Sequence, residues 1–256
     1  ALVDYAAALG MQVVASDVAA SALTGFDDAV VTHAADVADA DAVEALAVAV
    51  FERFGAVHLL SNNAGVFQAG RAWEATNEEW RWAFDVNVFG IINGIRSFVP
   101  RMLDGGDDGH VVNTASMAGH LPGHSPYTAS KWAVVGITQG LFNTMATDQT
   151  SIGVSCLCPG WVRTEIAEAS RNQPESAAPP ALFEPTEEQQ AARAFVKAAI
   201  DGGMEPDAVA DLVHDAIVNN RFWIFTDLGM VETVREKHAS IVENRNPQIF
   251  GIIDLD

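Results

Sequence analysis

Lysine is scarce in this chain. Lys131, Lys197 and Lys237 are the only three in 256 residues, and 14 basic side chains face 34 acidic ones, for a net charge of −20. Nucleic-acid binding relies on Lys and Arg at phosphates, so no nucleic-acid partner is expected. Cysteine is nearly absent too: Cys156 and Cys158 share the apolar run IGVSCLC. That spacing fits neither a redox C-x-x-C nor a zinc site and reads as buried thiols in a cytoplasmic protein. No apolar run reaches the roughly 18–20 residues that span a bilayer. The opening ALVDYAAALG has no basic region and carries Asp4, unlike a secretory signal. Tyrosine occurs only at positions 5 and 127.

What is present is a regular alternation. With 49% hydrophobic residues the chain suits one globular domain. Residues 1–9 predict a helix ending at Gly10. Strand-like runs at 11–16, 29–34, 57–60, 111–115 and 152–157 alternate with helical spacing at 39–54, 78–102 and 127–146. This pattern predicts an α/β fold, a doubly wound parallel sheet with helices on both faces. Such sheets bind ligands at the carboxyl ends of their strands, where Asp17, Asp36, Asn63, Ser116 and Pro159-Gly160 fall. The acidic turn at 105–109 lacks the calcium-loop pattern. A Pro-, Ala- and Gln-rich stretch at 165–203 reads as a lid or as a surface loop. Helix, aromatic strand (222–225) and helix follow.

Residues 113–131, NTASMAGHLPGHSPYTASK, carry the chemistry. Ser125-Pro126 predicts a helix start, which puts Tyr127 and Lys131 one turn apart on one face. A neighbouring ammonium favours phenolate and lowers a phenol's pKa, fitting tyrosine for proton exchange with an alcohol or carbonyl oxygen. The spacing alone is common by chance.

Together with NNAG at 62–65, Asn87 in DVNVFG, Ser116 in VVNTAS, YTASK at 127–131 and PGWVRT at 159–164, the chain resembles the short-chain dehydrogenase/reductase family over nearly its whole length. The resemblance implies a Rossmann-like fold and hydride transfer between a nicotinamide cofactor and an alcohol or carbonyl. It implies Tyr127 as general acid/base, Lys131 as its pKa partner and ribose contact, and Ser116 as the hydrogen-bond donor to the substrate oxygen. Asn87 would order its helix and hold a proton-relaying water. Asp17 would accept from the adenosine ribose, its bland alternative being a helix cap. Asp36 and Val37 would flank the adenine, and Asn63, Ala64 and Gly65 would line the ribose. Val162 and Thr164 would hold the carboxamide, with Pro159 and Gly160 shaping that turn. No Lys or Arg precedes Arg53, so a 2′-phosphate meets Asp17 without a cation, and NAD is expected.

NGIRSFVPRM (93–102), EIAEAS (165–170) and the FWIF strand are similar to the branch containing bacterial Cα-dehydrogenases of lignin-derived aryl ethers. This implies a hydrophobic, aryl or benzylic secondary alcohol or ketone as substrate. Met117, Trp161, Phe183 and Phe195 suit either its pocket or the core, and His120 and His124 would reach it; no metal site is expected. The family's tetramer surfaces would be the helices at 78–102 and 127–146, giving a homotetramer or homodimer. Two features depart from the family. The Ser116–Tyr127 gap is short, and the glycine-rich first turn that cradles pyrophosphate is missing with its strand, about 20–30 residues by ordinary element lengths. The alternatives are an NADPH-dependent ketone reductase and a non-catalytic cofactor-binding or scaffold protein.

Overall fold

The computed structural model describes residues 1–177 and 186–247. Phe183 lies outside them. Among the described residues six strands, β1 (Val13–Asp17), β2 (Val30–Ala34), β3 (Leu59–Asn62), β4 (Gly109–Thr114), β5 (Ile152–Cys158) and β6 (Trp223–Phe225), are interspersed with eight helices. These are α1 (Leu2–Ala8), α2 (Ala40–Phe54), α3 (Asn77–Phe84), α4 (Gly90–Gly105), α5 (Pro126–Thr147), α6 (Glu187–Asp201), α7 (Pro206–Val218) and α8 (Leu228–Val242).

The helix ends follow local chemistry. The Asp39 carboxylate accepts from the Asp41 and Ala42 amides at the start of α2, and Gly55, at φ +79°, closes its far end in a conformation that side chains resist. At α5 the Ser125 hydroxyl accepts from Thr128 N with Pro126 in the first turn, as the sequence predicts. The predicted single helix over 78–102 is continuous in path but not in pitch. A π-helical segment, Asp85–Phe89, joins α3 to α4. Single π turns of this kind insert one residue and turn the following side chains.

All strand pairs are parallel. They form two ladders, β1-β2 and β3-β4-β5-β6, registered for example by Val13↔Val30, Leu59↔His110, Gly109↔Ile152 and Cys156↔Trp223. Among the described residues β1 and β3 share no ladder. The predicted parallel α/β architecture is therefore present, with its hydrogen bonding in two parts rather than one continuous sheet.

Period-two alternation feeds two cores. Val111 and Val154 face α2, α4 and α5, packing with Val50, Phe98 and Met145. Their neighbours Val112 and Leu157 turn to the other face, against Val209 and Val213 of α7 and Ile224 of β6. Each fully buried Val or Leu contributes about 1.5–3 kcal/mol. The helices on both faces hold the carboxyl ends of the strands in fixed register, and the chemistry-bearing side chains converge there.

Candidate active site

Ser116 follows β4 and is buried, at 9% exposure. Its hydroxyl accepts from Ala118 N at 3.1 Å and lies 3.4 Å from the Pro159 carbonyl. It is close enough to the Tyr127 phenol to act on its proton. Tyr127 sits in the first turn of α5, its amide donating to Gln68 O at 3.2 Å and its ring meeting Phe67 edge-on at 4.9 Å. Lys131 is 2% exposed. Its ammonium donates to Thr114 O at 2.9 Å and lies 5.7 Å from the centre of the Tyr127 ring.

The electrostatics differ from the sequence expectation. Burial pushes the Tyr127 phenol above its ordinary value, and the Ser116 hydrogen bond lowers it only in part. Burial also lowers Lys131 to about 8, opposed by the nearby thiols of Cys156 and Cys158. The expected lowering of the phenol by the ammonium is not realised here. Lys131 aims its charge at a backbone carbonyl, and desolvation penalises both charged forms.

Asn87 lies in the π segment and is fully buried. Its Oδ1 accepts from Val66 N at 2.8 Å, and its Nδ2 donates to Val66 O at 3.0 Å and Ser130 Oγ at 2.9 Å. Ser130 Oγ donates in turn to Tyr127 O at 2.7 Å. Asn87 thus ties the NNAG turn to the helix that carries Tyr127 and Lys131. A Cβ added to Gly65 would stand 3.2 Å from Asn87 Oδ1 and 3.4 Å from Lys131 Nζ, so this backbone lies directly against the polar centre. Below it, Asn62 Nδ2 donates to Asn113 Oδ1 at 2.9 Å and Asn113 Nδ2 to Thr138 Oγ1 at 3.2 Å.

On the cofactor side, Asp17 ends β1 and its carboxylate accepts from Ala19 N at 2.8 Å. It lines a cavity of about 430 Å³. Asp36 accepts from Ala38 N at 2.9 Å, and Val37 O accepts from Asn93 Nδ2 at 2.9 Å. The Asn63 carboxamide accepts from Thr114 Oγ1 at 3.1 Å, and Ala64 and Gly65 continue that turn. Pro159 O accepts from Met117 N at 2.8 Å, and Gly160 N donates to Thr226 Oγ1 at 2.9 Å. Val162 bridges to Met204, while Thr164 Oγ1 is 3.5 Å from Ile166 N. A carboxylate at one strand end, backbone turns at the next two and a buried ammonium beyond them fit an extended dinucleotide lying across the strand ends. The cavity that Asp17 lines also has a cation on its wall. Arg171 comes from 154 residues away to line the same cavity, a proximity that sequence separation hides.

On the substrate side, Trp161 meets Phe195 of α6 edge-on at 6.2 Å. Met117 packs in the core with Val134 and Val135, which decides it as core. His120 turns inward, with Nε2 3.4 Å from Cys158 Sγ, and His124 stacks under exposed Trp73. Sequence reasoning missed Ser130, Asn113, Thr138 and Thr226. Ser130 was visible inside YTASK; Thr226 had no signal, since its partner is 66 residues away.

The fold and this set of side chains define an α/β oxidoreductase of the dinucleotide-binding kind. The family profile described as short chain dehydrogenase matches residues 1–175, and the chain belongs to that family, whose members use nicotinamide cofactors. A short chain dehydrogenase/reductase from Burkholderia phymatum, solved in complex with NAD, is similar with a TM-score of 0.90 and 38% identity, over 98% of this chain and 92% of that one. A 1-deoxy-11-beta-hydroxypentalenate dehydrogenase from Streptomyces avermitilis is 33% identical over 85% of this chain and 76% of its own length. A C alpha-dehydrogenase from Sphingobium sp. is 30% identical over 83% of this chain and 68% of its own length.

Proposed function

We propose that this protein is an NAD-dependent dehydrogenase that interconverts a hydrophobic secondary alcohol, aryl carbinols included, and its ketone. The observation that carries the reading is the convergence of the Ser116 hydroxyl and the Tyr127 phenol beside the buried Lys131 ammonium. The nicotinamide supplies or accepts the hydride when bound. Tyr127 gives a proton to the substrate oxygen in reduction and takes it in oxidation. Ser116 donates a hydrogen bond to that oxygen and stabilises the charge developing on it. Lys131 holds compensating positive charge, and Asn87 and Ser130 keep the two helices in register. Asp17 accepts from the adenosine ribose; Asp36, Val37, Asn63, Ala64 and Gly65 line the adenosine half, and Pro159, Gly160, Val162 and Thr164 the carboxamide end. The described parts of the lid, 165–177 and 186–203, border the substrate side of one domain, with Trp161 and Phe195 as apolar wall. The helices 78–102 and 127–146 form the contacts of a homotetramer or homodimer in the cytoplasm.

NADPH-dependent ketone reduction is a second reading, favoured by Arg171 sharing the cavity of Asp17. The Asp17 carboxylate repels a 2′-phosphate and keeps NAD ahead. The test offers NAD or NADP with a panel of aryl secondary alcohols and follows reduced-cofactor absorbance. Tyr127→Phe should lose more than 90% of kcat, over ~1.4 kcal/mol of barrier, while calorimetric NAD affinity stays within twofold. Absence of turnover together with absence of NAD binding in the unsubstituted protein would sink the enzyme reading. NAD binding without turnover would leave the non-catalytic alternative.

A further inference from the structure

The cavity of about 430 Å³ has two walls of different origin. One is the turn after β1, with Asp17, Ala19 and Ser21; the other is the 3₁₀ segment 166–172 and its flank, with Glu165, Arg171 and Asn172. Among the described residues that line it, Arg171 is the one basic side chain.

Its guanidinium is held in place. Nη1 donates to Glu165 O at 3.2 Å and Glu168 O at 3.3 Å, and Nη2 lies 3.1 Å from the Glu165 carboxylate. These bonds engage three of the five N–H donors of an arginine. The guanidinium has donors beyond these three, and Arg171 lines the cavity. Guanidinium forks match phosphate oxygens in geometry and charge. The Glu165 carboxylate is 77% exposed, so it can swing to water when a stronger anion arrives.

We infer that Arg171, on the 3₁₀ segment 166–172, is a phosphate clamp that binds the diphosphate of the bound dinucleotide while Asp17 on the facing wall takes the adenosine ribose. This rests on the nicotinamide-cofactor reading and adds a residue to it. Two phosphates are chemically able to meet a guanidinium here, the diphosphate and a 2′-phosphate. The diphosphate is favoured because Asp17 holds negative charge where a 2′-phosphate would sit. Glu165 then acts as an internal competitor that masks the clamp in the free protein.

The test is calorimetric binding of ADP, adenosine, 2′,5′-ADP and NAD to the purified protein and to Arg171→Gln and Glu165→Gln. Arg171→Gln should weaken ADP and NAD about tenfold and leave adenosine unchanged, which also serves as the folding control. Glu165→Gln should tighten ADP two- to threefold, because the competing carboxylate is gone. Equal ADP affinity in Arg171→Gln and the parent overturns the clamp, as does an equal loss for adenosine. A loss confined to 2′,5′-ADP overturns the diphosphate assignment. If the parent binds none of the four, the cofactor reading itself fails; if it binds them and only the substitutions are silent, the clamp alone fails.

Discussion

Lys131 is an ammonium with almost no water, and its proton sets the working pH. Burial brings it to about 8 while the Tyr127 phenol is pushed up, so the first proton the pair releases on raising pH leaves near 8. Ammonium with phenolate and amine with phenol have the same proton count, so either arrangement appears in that one step. Alcohol oxidation needs the deprotonated pair. Its kcat/KM should climb about tenfold per pH unit below 8 and then level, and ketone reduction should hold at neutral pH and fall above 8. A pH-rate series with a nonpolar alcohol checks this, and an oxidation rate independent of pH between 6 and 8 would refute the pairing. The proximity of Ser116, Tyr127 and Lys131 was legible in the sequence because they lie within sixteen positions, in one loop and the start of one helix. The state of their protons was not, because the burial of Lys131, its bond to Thr114 O and the opposing effect of Cys156 and Cys158 arise only in the packed sheet.

At the level of elements, the two helices beside the site tolerate side chains very differently. Gly94 on α4 faces Asn62, and a Cβ there would lie 2.2 Å from Asn62 Oδ1, whose carboxamide is already committed to Asn113. Gly140 on α5 is exposed, with nothing within 4 Å of an added Cβ. Gly94→Ala should therefore destabilise by about 1–3 kcal/mol, the usual cost of overpacking. Gly140→Ala should stabilise by roughly 0.5–1 kcal/mol, because alanine gives up less backbone freedom in a helix. Denaturant melts of the two variants give the comparison, and the same sign for both would refute it. Helix and strand positions were legible from periodicity and capping residues: Asp39, Gly55 and Ser125-Pro126 all act where the sequence places them. The π segment was not legible. Asp85 to Phe89 keep right-handed helical spacing, and what marks the segment is Asn87 bonding to Val66, a loop residue 21 positions earlier.

For the whole molecule, a charge of −20 and two buried histidines act in opposite directions as pH falls. Protonating carboxylates relieves self-repulsion and favours the compact state. His110 and His120 work against it. His110 Nε2 pairs with Ser155 Oγ at 2.7 Å; that hydroxyl donates to Arg221 O, so the ring nitrogen is the donor. His120 packs against Trp223 and Phe225, with Lys237 donating to its carbonyl. Burial lowers both to about 4 from an ordinary 6.5, helped at His120 by the charges of Lys237 and His238. A group with a lowered folded pKa binds its proton more readily when unfolded. Its stability contribution is complete above pH 6.5 and is lost progressively down to about 4. Each site is worth on the order of 3 kcal/mol over that window. The parallel α/β architecture was legible from alternation alone, but this dependence was not, because the strand run around His110 gives no sign of Ser155 behind it. Thermal melts from pH 7 to 4.5 should show the parent losing stability and His110→Gln losing distinctly less. His120→Gln should do the same. Parallel pH curves for parent and both variants would mean that carboxylates, not these imidazoles, govern acid unfolding.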